Sequence, residues 1–183
     1  MFKPIAFTVL SVVLIYISRA SLRAPRSHGF YRFFAWEFML ALFLLNVDVW
    51  FYEPFGWNQL ISWFLLFVCL VPLVFGVRSL TSRGKPVASR DAEPQLLAFE
   101  KTSSLVTSGV YRYIRHPLYS SLLFLTWGIY FKSVTWLGVL LALAATLFLV
   151  ATALADETEC IRFFGSSYQA YMKRSKRFVP FLF

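Results

Sequence analysis

Apolar runs alternate along the whole chain with short segments rich in arginine and proline, and this alternation predicts the architecture. Residues 5–18, 33–51, 58–77, 116–131 and 134–155 each read as a helix able to enter a bilayer. The first run is shorter than the roughly 20 residues that cross upright. It follows Lys3 like a signal peptide, but Ser18-Arg19-Ala20 is a poor cleavage site, so it is taken as a span. Pro72 predicts a kink in the third run. Only Lys132 and Ser133 separate the last two runs, which therefore form a helical hairpin. The expectation is an all-α, polytopic membrane protein with five transmembrane helices.

The connections differ in character. Residues 19–32 carry Arg19, Arg23, Arg26 and Arg32 without an acid, and residues 52–57, with Glu53, Pro54 and Gly56, form a short turn. Residues 78–104 are a long polar loop in which 94–99 can form a small amphipathic helix. In the tail, 156–176, Cys160, Ile161, Phe164, Tyr168, Tyr171 and Met172 recur at helical spacing opposite charged positions. That stripe predicts a C-terminal amphipathic helix on the membrane surface, folded back over the site. Alternating the loops across a bilayer puts 16 of the 18 basic residues on one side, leaving only Lys3 and Lys132 on the other. The positive-inside rule then places the N-terminus outside and the C-terminus inside.

Composition sharpens this picture. The 183 residues are 58% hydrophobic and 20% aromatic with only 15% charged, which excludes an ordinary soluble domain. Length suggests a single domain, 1–183: three N-terminal spans in 1–77, the cytoplasmic loop 78–104, and 105–183 with the hairpin and tail. The net charge of +9 is split among loops and not laid on one continuous face, so it points to anionic membrane lipids and not to nucleic acid. Cys69 lies in an apolar run and Cys160 in the charged tail, a spacing that supports neither a disulfide framework nor a metal site.

The chemistry gathers at residues 105–119. Pro117 suits the first turn of a helix, which leaves Arg112, Arg115, His116 and the tyrosines Tyr111, Tyr113 and Tyr119 at the edge of the apolar layer. The predicted topology brings Asp156 and Glu157 to the same face. Carboxylates beside an imidazole and guanidiniums can hold a zwitterionic ligand, with the acids taking ammonium, sulfonium or ribose hydroxyls. Glu37, about one turn into the second span, is the carboxylate most costly to leave in hydrocarbon; Asn46 and Asp48 lie toward its far end. Glu37, Tyr119 and Arg115 are the candidates for a catalytic role. No glycine pair forms Gly-x-Gly, so a soluble dinucleotide-type fold is unsupported.

The motif Gly-Val-Tyr-Arg-Tyr-Ile-Arg-His-Pro-Leu-Tyr at 109–119, followed by Asp156-Glu157 and by Phe-Phe-Gly-Ser-Ser-Tyr-Gln-Ala-Tyr at 163–171, resembles the isoprenylcysteine carboxyl methyltransferase family and the related phospholipid methyltransferases. The resemblance covers residues 103–180. It implies an integral membrane methyltransferase that uses S-adenosylmethionine and releases S-adenosylhomocysteine, working on a lipophilic or lipidated acceptor in a prokaryotic inner membrane or the endoplasmic reticulum, with its site on the cytoplasmic face. It further implies that Leu105, Val106, Tyr111, His116, Pro117, Leu118, Tyr119, Asp156 and Glu157 bind the cofactor. The family's usual acidic pair is Glu-Glu, so Asp156 is a departure. Relatives acting on a prenylcysteine carboxylate look to have an arginine shortly before that pair; here Ala151, Thr152, Ala153, Leu154 and Ala155 stand there, leaving Arg115, Arg162 or Arg174 as substitutes. A phospholipid amine, a small thiol and a prenylcysteine-like carboxylate are the competing acceptors. The alternative of another class is a non-catalytic module that binds anionic lipid or a partner through its basic tail, Lys173 to Arg177, and the long loop.

Overall fold

A computed structural model describes residues 2–84 and 102–180. Its described residues form seven α-helices: α1 Phe2–Leu22, α2 His28–Asn46, α3 Trp57–Val68, α4 Leu70–Arg83, α5 Pro117–Tyr130, α6 Trp136–Phe164 and α7 Ser166–Met172. The segment 94–99, expected to be a surface helix, lies outside the described residues.

α1 runs past both ends of the 5–18 apolar core because its polar flanks find partners. The Lys3 ammonium meets the Asp48 carboxylate at 2.7 Å and the Leu45 carbonyl at 3.1 Å, and the Arg19 guanidinium lies over the Tyr16 ring. α2 begins at His28, inside the expected arginine loop, because Ser27 caps it: its hydroxyl accepts from the Phe30 N–H. The expected kink appears as a break at Cys69 between α3 and α4. Pro72 has no N–H to donate to the Val68 carbonyl, and its ring crowds that turn.

Among the described residues, four helical stretches are long and apolar enough to cross a membrane: Phe2–Leu22, His28–Val49, Trp57–Arg83 and Trp136–Phe164. The fourth of the five expected spans, α5, has 14 residues, or about 21 Å at 1.5 Å per residue. That is short of a hydrocarbon layer of about 30 Å. α6 is correspondingly long, at 29 residues, and takes 156–164 into the same helix. The expected surface helix over 156–176 is therefore divided. Gly165, at φ 60°, ends α6 in a conformation that favours glycine, and only the seven residues of α7 follow. The aromatic side chains of that stripe turn inward, with Tyr168 and Tyr171 buried.

α2 packs most extensively against α6, α1 lies on α2, and α5 wedges between α3–α4 and α6. The α2–α6 seam is close because Ala35, Ala142 and Ala145 are fully buried beside Leu42 and Leu149, so backbones approach without a bulky side chain between them. Ser62 of α3 donates to the Gly128 carbonyl of α5 at 2.7 Å. At the end away from the arginines, Lys132 is buried: its ammonium donates to Gln59 at 2.9 Å and sits 3.4 Å from the Trp63 ring centre. The outward faces of α1, α4 and α6 are apolar and exposed, as lipid-facing helices require.

Candidate functional site

The short α5 starts deep, and its first turn is the floor of the site. Gly109 opens a single 3-10 turn, Gly109–Arg112, at φ 68°, and a Cβ there would come 2.9 Å from the Ser79 hydroxyl of α4. Glycine is thus needed both for the left-handed backbone and for the contact with α4. The chain then passes through Ile114, whose isolated parallel bridge to Lys176 ties the motif to the C-terminal segment. The N–H groups of Arg115 and His116 donate to the carbonyls of Lys176 (2.7 Å) and Arg177 (3.1 Å). Ser120 donates to the Phe178 carbonyl at 2.8 Å, and Tyr171 to the Tyr111 carbonyl at 2.6 Å. A C-terminal strap therefore holds the residues that flank the imidazole.

His116 lies between the two acids of α6. Its Nδ1 is 3.4 Å from an Asp156 oxygen and its Nε2 3.3 Å from Glu157, while the ring stacks on Tyr119 at 5.3 Å. Burial alone would push the imidazole's pKa down, but the hydrogen bonds and negative charges of Asp156 and Glu157 outweigh it and hold the pKa above the ordinary histidine value. Burial pushes the phenols of Tyr168 and Tyr171 upward, so both remain neutral donors.

The two acids occupy different surroundings. Glu157 is buried and receives the Arg115 Nε at 2.9 Å, together with the Arg177 Nε at 3.0 Å and Nη2 at 2.9 Å. Arg115 is itself fixed by the carbonyls of Met172 and Ser175. Asp156, one residue earlier and about 100° around the helix, turns to a cavity with Glu159, Cys160 and Phe164 of the same face. The rest of the lining is Leu80 of α4, Thr102, the motif residues Leu105, Val106, Tyr111, Arg115, His116, Pro117, Leu118 and Tyr119, and Tyr168 and Tyr171 of α7. The void is about 780 Å³ counted out to its open mouth, of which about 100 Å³ admits the centre of a water molecule.

With that geometry in place, comparison with known families gives one result. Residues 95–169 match the sequence model of the phospholipid methyltransferase family, described there as "Phospholipid methyltransferase". The match agrees with the resemblance drawn from the motifs, and it spans both the imidazole turn and the acidic pair. Neither the curated proteins nor the solved structures give a match. Together with four helices fit to cross a membrane, the phospholipid methyltransferase match points to a membrane methyltransferase.

Within the matched segment, nearly all the residues expected to hold the cofactor line this cavity. Glu157 stands behind the lining, engaged by two arginines. Glu37 lies away from it on α2, where it accepts from Ser11 of α1 at 2.7 Å and has its other oxygen buried without a hydrogen bond. Sequence reasoning missed Glu159 and Cys160, although their spacing of three and four residues from Asp156 marks one helix face. It also missed Leu80 and the Arg177 brace, for which no local pattern exists. Among the described residues, no group of three or more His, Cys, Asp or Glu is placed to hold a metal ion.

Proposed function

We propose that this protein is an S-adenosylmethionine-dependent methyltransferase acting at a membrane face on a lipophilic acceptor. The observation that carries the reading is that two segments far apart in sequence, 105–119 and 156–164, converge on a single cavity with His116 in contact with both acids. The donor set fits a zwitterionic nucleotide. Asp156 offers a carboxylate to an ammonium, sulfonium or ribose hydroxyl, Tyr111 and Tyr168 offer phenols, and Leu80, Leu105, Val106 and Leu118 offer an apolar bed for a base.

When bound, S-adenosylmethionine supplies an electrophilic methyl group on a sulfonium. The chain's own task is to orient and to exclude water, because charge is lost from sulfur as the methyl leaves and a dry site favours that loss. His116, in contact with both acids, fixes the position of Asp156 at the cavity wall. Arg115 and Arg177 spend their charge on Glu157 and so position the site, Arg115 from the cavity wall itself. A carboxylate or thiolate acceptor needs no base, whereas a phospholipid amine must lose a proton before or during attack. The five-span topology, with the site on the cytoplasmic face, belongs to this reading; α5 would act as a short fifth membrane helix.

Titration calorimetry in detergent tests the assignment: saturable binding of S-adenosylhomocysteine is expected for the wild type and is lost in His116→Ala and Asp156→Asn. A well-folded wild type that binds neither nucleotide overturns it. Mass spectrometry of lipid extracts incubated with a labelled methyl donor then identifies the acceptor.

A further inference from the structure

A second cavity opens on the other side of Glu159. It is formed by Ala24, Pro25, Arg26 and Ser27 of the α1–α2 loop and by Ala155, Thr158, Glu159, Arg162 and Phe163 of α6, and about 670 Å³ of it admits water centres. Glu159 borders both cavities, with its carboxylate clasped by the His28 backbone N–H (2.9 Å) and the imidazole Nδ1 (2.7 Å). Its charge is thus answered by His28 and does not call for the arginines. Arg26 and Arg162 are both exposed and make no hydrogen bond, ion pair or ring contact with any described residue. Other arginines of this end are occupied, Arg115 and Arg177 by Glu157, Arg83 by Ser108 and Arg19 by Tyr16, and the exposed Arg23 lies outside the cavity. Two free guanidiniums lining one cavity are a receptor for a phosphate or carboxylate.

The position of the cavity says what carries that anion. Leu147, Leu154, Thr158 and Arg162 follow one another at spacings of seven, four and four residues, on one face of α6. Leu147 and Leu154 are 69% and 47% exposed, as befits a lipid-facing stripe, and that stripe runs straight into the cavity. We propose that Arg26 and Arg162 hold the anionic headgroup of the methyl acceptor, an amphiphile whose chain lies along the outer face of α6 while its polar end reaches past Glu159 toward the nucleotide. This inference rests on the methyltransferase reading for the word acceptor. The anion site itself stands on the two arginines and the cavity.

The test titrates dodecyl phosphate into the protein in a neutral maltoside detergent. Arg26→Asn, chosen because asparagine tolerates the φ of 71° at that position, and Arg162→Gln are combined. The control is Arg23→Gln, an exposed arginine outside the cavity. The expected result is saturable binding weakened about tenfold or more in the double variant and unchanged in the control, with inorganic phosphate binding far more weakly than dodecyl phosphate. In the same samples S-adenosylhomocysteine affinity stays within about twofold, and labelled methyl incorporation into lipid extract falls at low acceptor concentration. The proposal is overturned if the double variant binds dodecyl phosphate as the wild type does. Equal loss in the control, which would mean general surface charge, also overturns it. Inorganic phosphate binding as tightly as dodecyl phosphate overturns the lipid source. Failure of the wild type to bind S-adenosylhomocysteine while dodecyl phosphate still binds would instead strike the methyltransferase reading and leave the anion site standing.

Discussion

Replacing Arg177 by glutamine removes the Glu157 contacts at 3.0 and 2.9 Å and leaves that buried carboxylate to Arg115 and His116. Breaking a buried ion pair by deleting one partner costs about 3–5 kcal/mol when the other charge is left alone. Here Arg115 stays at 2.9 Å, and the Arg177 side chain keeps 21% of its surface in solvent, so the expected loss is smaller, about 2–3 kcal/mol. For a chain of this length that corresponds to a fall in Tm of roughly 5–10 °C. Thermal unfolding in detergent, followed by tryptophan fluorescence, reads it directly. The double variant with Glu157→Gln should be more stable than the sum of the single losses predicts, by about 1 kcal/mol or more, since each change removes the other's reason to be costly. A shift under about 2 °C for Arg177→Gln, or strict additivity in the double variant, would refute the idea that the C-terminal strap is fastened through Glu157.

Three further outcomes are expected. Because the folded-state pKa of His116 is raised above its ordinary 6.5, its contribution to stability is fully present below that pH and is lost as pH rises through the folded value. Unfolding midpoints should therefore decline on the alkaline side for the wild type, and His116→Gln should flatten that decline. Gly109→Ala puts a methyl 2.9 Å from the Ser79 hydroxyl at φ 68° and should cost about 1–2 kcal/mol, read as a lower Tm; an unchanged Tm would show that the turn can relax. Lys132→Met removes the donor to Gln59 and the charge over Trp63, lowering stability by about 1–3 kcal/mol while leaving S-adenosylhomocysteine affinity unchanged by calorimetry, since it lies at the opposite end of α5 from His116.

The chain by itself determined what each stretch could be. Apolar runs fixed helices, Pro72 fixed the break near Cys69, and Pro117 fixed the start of α5. The motifs also named the groups that meet, since His116 does touch both Asp156 and Glu157. Helix ends were less legible: the apolar run 134–155 stops where lipid would stop, yet α6 continues to Phe164 because Glu157 and Glu159 find cationic or N–H partners there. What only the tertiary structure decided was which acid faces the void and which is spent on holding the strap. Adjacent residues on a helix point about 100° apart, so the division between Asp156 and Glu157 depends on where Arg115 and Arg177 arrive. Those arrivals are set by packing across 20 and 42 residues of chain and leave no mark in any local pattern.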